Sequence, residues 1–191
     1  MRRTAHRGLA AGFATALLAL WGCSHSPTAP FTSPVSDAPA FLRVPAGTAQ
    51  PYSAGPGSGS SISSSCIDGS KGGTVSNGRF QLCIPPGAFI GTGTISISVP
   101  DPAVMQCQLS ISPAGLNGFL VPVQLIADYG SSSGPGPGSP APSDPALLWF
   151  DEVNQRWVRM PGSSVTSWNN TLTTPLPHFS SYGVIGNKAG W

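Results

Sequence analysis

Glycine or proline interrupts nearly every stretch of this chain. The two together make 45 of 191 residues (24 Gly, 21 Pro), and no G-X-Y period orders them. A helix interior loses about 1 kcal/mol at each Gly and about 3 at each Pro relative to Ala. Long helices are therefore excluded, and what remains is short extended segments joined by turns. Charge narrows the field further. Only 8% of the residues are Asp, Glu, Lys or Arg, against roughly 25% in ordinary soluble proteins. Nine scattered cations cannot assemble the basic face that a nucleic-acid binder needs.

From Cys66 onward the apolar residues recur with period two. Phe80, Leu82 and Ile84 alternate with Arg79, Gln81 and Cys83; Ile95, Ile97 and Val99 with Thr94, Ser96 and Ser98; Cys107, Leu109 and Ile111 with Gln108, Ser110 and Ser112. Each pattern predicts a half-buried strand. Phe119, Val121, Val123 and Leu125 give another apolar face, which Pro122 demotes to an edge strand or a bulge. Asn77-Gly78 predicts a tight hairpin with positive φ at both residues. Ala146–Phe150 with Arg156–Met160 predicts a second hairpin, and the turn at Trp168-Asn169-Asn170-Thr171 a third. Residues 131–144, rich in Gly, Pro and Ser, read as a long exposed loop. The fold class expected over 66–191 is all-β, an antiparallel sandwich of eight to nine short strands.

The chain opens on Arg2, Arg3 and Arg7, followed by the uncharged apolar run Leu9 to Trp21. Thirteen residues are too few for a membrane-spanning helix and fit the core of an export signal. The run ends in Leu20-Trp21-Gly22-Cys23, which resembles the lipobox of bacterial lipoproteins. That resemblance implies removal of residues 1–22, acylation of the Cys23 thiol, and a home on the bacterial envelope. Ser24 after the cysteine favours the outer membrane. Two or more acyl chains hold a protein firmly to a bilayer. Without residues 1–22 the chain keeps six cations and seven anions, net −1.

Of the 42 residues 24–65, 31 are Pro, Ser, Ala, Gly or Thr, a composition expected of a flexible spacer. A coil of about 42 residues has an r.m.s. span of roughly 35 Å. Phe41-Leu42-Arg43-Val44 stands out from it but is assigned to the spacer as well.

The order of motifs in the domain resembles the ZU-five domain, a module shared by zona-occludens proteins, netrin receptors and ankyrins and found in bacterial surface lipoproteins. The matching residues are Gly72-Gly73-Thr74-Val75, Ile84-Pro85-Pro86-Gly87-Ala88-Phe89, Ser112-Pro113-Ala114-Gly115, Leu148-Trp149-Phe150-Asp151-Glu152 and His178-Phe179-Ser180. They span roughly residues 71–185. The resemblance implies a β-sandwich, a role in protein–protein contact, and no cofactor. Some relatives cut themselves between Phe and Ser of the last motif. Carried over, the bond would be Phe179–Ser180, with the Ser180 hydroxyl attacking the preceding carbonyl and His178 as the local base. Two departures argue against catalysis. No histidine lies between His25 and His178, and the eleven residues after Ser180 hold no second sandwich to retain a cleaved half.

The other constellations carry less. In an exported protein one disulfide among Cys66, Cys83 and Cys107 is expected, with a preference for Cys66–Cys83. No metal site is expected from three dispersed cysteines without a neighbouring histidine. Trp149 and Trp157 on facing hairpin strands read as core. A carbohydrate-binding role would instead use Tyr52, Trp168 or Tyr182. Asp151 and Glu152 are adjacent, so they do not converge as a glycosidase pair must.

Overall fold

The computed structural model describes residues 39–45, 59–130, 132 and 142–186, all within one unit spanning 37–191. The expected leader 1–22, Cys23, residues 24–38 and 46–58 of the expected spacer with Tyr52, most of loop 131–144 and residues 187–191 lie outside the described residues.

Among the described residues eleven strands form two antiparallel sheets. They are β1 (Ser61–Asp68), β2 (Gly73–Asn77), β3 (Phe80–Ile84), β4 (Thr92–Val99), β5 (Gln106–Ser112), β6 (Val123–Asp128), β7 (Ala146–Asp151), β8 (Arg156–Arg159), β9 (Ser164–Thr166), β10 (Thr171–Leu176) and β11 (Ser181–Ile185). The six-stranded sheet runs β1-β4-β5-β11-β7-β8 and the five-stranded sheet β2-β3-β6-β10-β9. A 3₁₀ turn, Ala114–Leu116, follows β5. The all-β sandwich expected from the period-two pattern is the fold, with more strands than the alternation alone revealed.

The alternating apolar residues face one another between the sheets. Phe80, Leu82, Ile84, Val123, Leu125, Leu172 and Leu176 come from one, and Ile95, Ile97, Leu109, Tyr182 and Val184 from the other, all buried in one cluster. Burying each such side chain contributes about 1.5–3 kcal/mol. Asn77 joins the sheets through a polar bond. Its Nδ2 donates to the Ile97 carbonyl at 2.9 Å and the Ser61 carbonyl at 3.1 Å, and its Oδ1 accepts from the Ser61 hydroxyl at 3.0 Å. A buried amide left without these partners would cost about 1–3 kcal/mol.

Four sequence expectations are corrected. In the first hairpin Asn77 pairs with Phe80, so Gly78 and Arg79 are the central residues and Gly78 takes positive φ, 62°. Positive φ at the first central position only is the II′ pattern, which needs Gly there; Asn77 is thereby freed to reach across the sandwich. Next, β6 begins at Val123 and lies between β3 and β10, inside its sheet. Pro122 falls just before it, where a missing N–H breaks no ladder, and Val121 is exposed rather than buried.

The expected spacer is also shorter than its composition suggests. Ser61 to Ser65 belong to β1, paired with Val99 through Ile95 of β4. Phe41-Leu42-Arg43-Val44 docks on the sandwich where β5 and β11 part. Leu42 N donates to the Val184 carbonyl at 2.8 Å, and Met105 N donates to the Leu42 carbonyl at 2.9 Å. The Leu42 side chain has no solvent exposure and Val44 is buried. Phe41 lies over Gly183 on the outer face of the six-stranded sheet, so closely that a Cβ at residue 183 would overlap its ring. It completes a second small cluster with Ala146, Leu148, Ile185 and Trp157.

Finally, the expected disulfide is not formed. Cys66, Cys83 and Cys107 are free thiols. Cys66 sits at an exposed position of β1, Cys107 on the buried face of β5 and Cys83 at a half-buried outward position of β3. Three separate layers cannot bring two Cβ atoms to the roughly 3.8 Å a disulfide needs.

Strand register defines the two ends of the sandwich. The upper end carries loops 85–91, 113–122 and 177–180, next to Ile84, Ser112, Val123 and Leu176. The lower end carries the turns at 78–79, 129–130 and 167–170, next to Asn77, Ser61, Asp128 and Thr171.

Candidate functional site

Both motifs that most distinguish this sequence meet at the upper end. Pro85 to Phe89 forms one loop there, and Leu120 N donates to the Ala88 carbonyl at 2.8 Å, tying in the loop before β6. Phe119 N donates to the Pro177 carbonyl at 3.0 Å, which adds the His178–Ser180 segment. Beneath them three rings pack in series. Phe89 and Phe119 have centroids 6.5 Å apart, and Phe119 meets Phe179 edge-on at 4.7 Å. Such aromatic pairs contribute roughly 0.5–1.5 kcal/mol beyond area burial.

Above this support the loops turn branched apolar side chains toward water. Ile90 is 81% exposed, Leu120 71% and Val121 41%. No residue from 84 to 99 or from 106 to 127 carries a charge; the charges beside them are Lys71 and Asp68, paired at 3.3 Å, flanking Gly69, which bonds to Gly87 and Gly91. An exposed apolar group on rigid backbone is the kind of surface that binds another molecule with little ordering cost. Sequence reasoning missed all three residues. Val121 was hidden inside an apparent strand pattern, and nothing in the sequence sets Ile90 or Leu120 apart from core residues.

The Phe179–Ser180 bond is held between neighbours. Phe179 N donates to Asn117 Oδ1 at 2.6 Å, and Asn117 Nδ2 donates to the Phe179 carbonyl at 3.0 Å. One side-chain amide therefore satisfies both backbone groups of Phe179, whose ring is buried. The Ser180 hydroxyl donates to the Phe150 carbonyl on β7 at 2.9 Å. His178 Nδ1 lies 3.4 Å from the Phe179 carbonyl, and its ring meets Trp149 edge-on at 5.1 Å. The imidazole is thus engaged with a carbonyl and an indole, while the hydroxyl proton points to a carbonyl, which is no base. An acyl shift needs the reverse, a base on the hydroxyl. Asn117 carries no sequence signal for this role, being 62 residues from the bond it braces.

The remaining candidates are dispersed. Tyr182 is fully buried, and its hydroxyl donates to the His178 carbonyl at 2.7 Å; burial, then the neighbouring Cys107, raise its pKa. It offers no platform for a sugar. Burial likewise raises the pKa of the Cys107 thiol. Trp149 packs on the main core, whereas Trp157 joins Phe41 in the outer cluster, with ring centroids 4.8 Å apart. Asp151 caps its own turn, accepting from Asn154 Nδ2 at 2.6 Å and from the Val153 and Asn154 amides at 3.1 Å each. Those bonds, the Asn154 side chain foremost, hold its pKa below the ordinary aspartate value. Glu152 is exposed beside it. Among the described residues no three His, Cys, Asp or Glu side chains gather as a metal site, and no helix is long and apolar enough to cross a membrane.

No protein-family model matches this chain, and none of the curated proteins matches it.

Proposed function

We propose that this protein is a lipid-anchored bacterial envelope protein that presents the upper end of a ZU-five-like sandwich to a protein partner. The exposed, uncharged Ile90–Leu120–Val121 surface on braced loops carries the reading. Contact with a partner gives these side chains the burial that the fold withholds from them. The anchor rests on the basic start, short apolar run and Gly22-Cys23 junction. The ZU-five-like assignment rests on the motif order, and the meeting of Pro85-Pro86-Gly87-Ala88 with His178-Phe179-Ser180 at one end supports it.

With residues 39–45 docked, the tether shortens to residues 24–38. Fifteen residues then separate Cys23 from the docked segment, against the forty-two of residues 24–65. A photo-crosslinking residue placed at position 120 in cells tests the role. It should yield one discrete adduct that the same residue at Gln108, an exposed position of β5, does not. Adducts of equal pattern at both positions would remove the upper end as a specific surface.

A further inference from the structure

Trp168 stands at the turn between β9 and β10, at the lower end of the sandwich, 86% exposed. Among the described residues no aromatic ring packs on it, although the other described tryptophans, Trp149 and Trp157, both pack against hydrophobic clusters. Asn170 takes φ 53° and Thr171 Oγ1 donates to Asn169 Oδ1 at 2.8 Å, so the turn is well defined. The fold builds a set hairpin and leaves its largest side chain in water.

Two further observations specify what covers it. First, no residue from 160 to 177 is charged, and Val165 on the same hairpin is 43% exposed. That hairpin meets a bilayer without the desolvation cost of a charge, although the same end also carries the Arg79–Asp128 pair, at 3.6 Å, and the exposed Arg43 and Asp101. Second, the chain reaches the sandwich at this same end. Leu42 lies against Gly186, and a Cβ at residue 186 would stand 2.5 Å from Leu42 Cδ2 and 3.4 Å from Pro142 Cβ. Gly130, where loop 131–144 leaves the other sheet, lies beside Asn170 of the Trp168 turn. Fifteen residues, 24–38, separate Cys23 from the segment docked here. This end is therefore the one nearest Cys23 along the chain.

We propose that Trp168 is an interfacial contact with the phospholipid bilayer that holds the Cys23 anchor, an inference resting on the lipoprotein reading above. The indole ring lies at the boundary of headgroups and acyl chains, and its N–H donates to headgroup oxygens, the placement that favours Trp at membrane surfaces. With the tether and Trp168 both engaged, the lower end is seated on lipid and the Ile90–Leu120–Val121 surface is turned away from it, toward a partner.

The test uses the acylated protein with Trp191→Phe, which leaves Trp149, Trp157 and Trp168, reconstituted in phosphatidylethanolamine–phosphatidylglycerol vesicles. Lipid brominated near the headgroup should quench about a third of the tryptophan emission, and Trp168→Phe should abolish that quenching without altering sedimentation with vesicles or the melting temperature. Acylated, vesicle-bound protein whose Trp168 emission ignores brominated lipid would overturn the contact and leave the anchor standing. Protein whose Cys23 carries no lipid would overturn both. Trp168 emission that shifts with peptidoglycan fragments and not with vesicles would give the residue to a sugar and overturn the contact.

Discussion

Replacing Leu42 by alanine separates a docked segment from a passive spacer. Its side chain has no exposure, and it fills the gap where β5 and β11 diverge beside Gly186. The backbone bonds from Leu42 N to Val184 and from Met105 N to the Leu42 carbonyl survive in alanine. The loss is therefore that of the buried methyl groups and the cavity they leave, about 2–5 kcal/mol for such a replacement. The site lies near an end of the sandwich, where collapse relieves part of the void, so the lower half of that range is expected. At roughly 2–4 °C per kcal/mol for a domain of this size, a loss of about 3 kcal/mol lowers the melting temperature by roughly 6–12 °C. Urea unfolding of the Cys23→Ser chain, with and without Leu42→Ala, measures it. Leu120→Ala is the control, since a surface change of that kind shifts stability by about 0.5 kcal/mol or less. A Leu42→Ala midpoint equal to the control's would refute the docking and restore the longer tether.

The other predictions follow from single contacts. Asn117→Ala strips the buried Phe179 amide of its partner and leaves its carbonyl only the 3.4 Å contact with His178 Nδ1, and should cost about 1–3 kcal/mol; an unchanged unfolding midpoint would contradict the bracing role. The intact mass of the purified chain should show one species, since no base meets the Ser180 hydroxyl; fragments ending at Phe179 that vanish in Ser180→Ala would reverse that reading. Asp151 has a folded pKa below its unfolded value, so its contribution is fully present above the ordinary aspartate pKa of about 3.9 and is lost as pH falls through the folded value. Between pH 5 and pH 2 the parent should therefore lose melting temperature more steeply than Asp151→Asn, and parallel curves would exclude the effect. Thiol titration of the folded protein should modify Cys66 first, with Cys107 reacting only on unfolding, because the thiolate is the reactive form and Cys107 is buried with a raised pKa; rapid labelling of Cys107 in native buffer would contradict the packing.

Much of this fold was legible because its core strands obey a simple alternation. Phe80-Leu82-Ile84, Ile95-Ile97-Val99 and Cys107-Leu109-Ile111 read as one-sided strands and are buried on one side. β1 was not legible, and its burial shows why. Its half-buried positions are Ser61, Ser63 and Ser65, while Ile62 and Cys66 face water, so the usual pattern is inverted. Ile67 is its one buried apolar side chain; pairing with β4 and the bond to Asn77 hold the rest of the strand, and only tertiary structure supplies those. Phe41 to Val44 was misread because four residues have no period, and the gap that receives Leu42 is made by strands more than sixty residues away. At the upper end the His178-Phe179-Ser180 motif was found, but its brace, Asn117, was not. A lone Asn in a Gly-rich loop looks like turn chemistry until the fold brings Phe179 to it. The exposed Ile90 and Leu120 are indistinguishable in sequence from the buried Phe89 and half-buried Phe119 beside them.

Whether Cys23 is acylated decides whether the sandwich works at a membrane, and mass spectrometry of the N-terminal peptide from the envelope fraction addresses it directly. The account predicts a peptide that begins at Cys23 and carries acyl chains, with Cys23→Ser shifting the protein to the soluble fraction. A peptide that begins elsewhere, or a Cys23 with a free thiol on protein that still sediments with membranes, would contradict it.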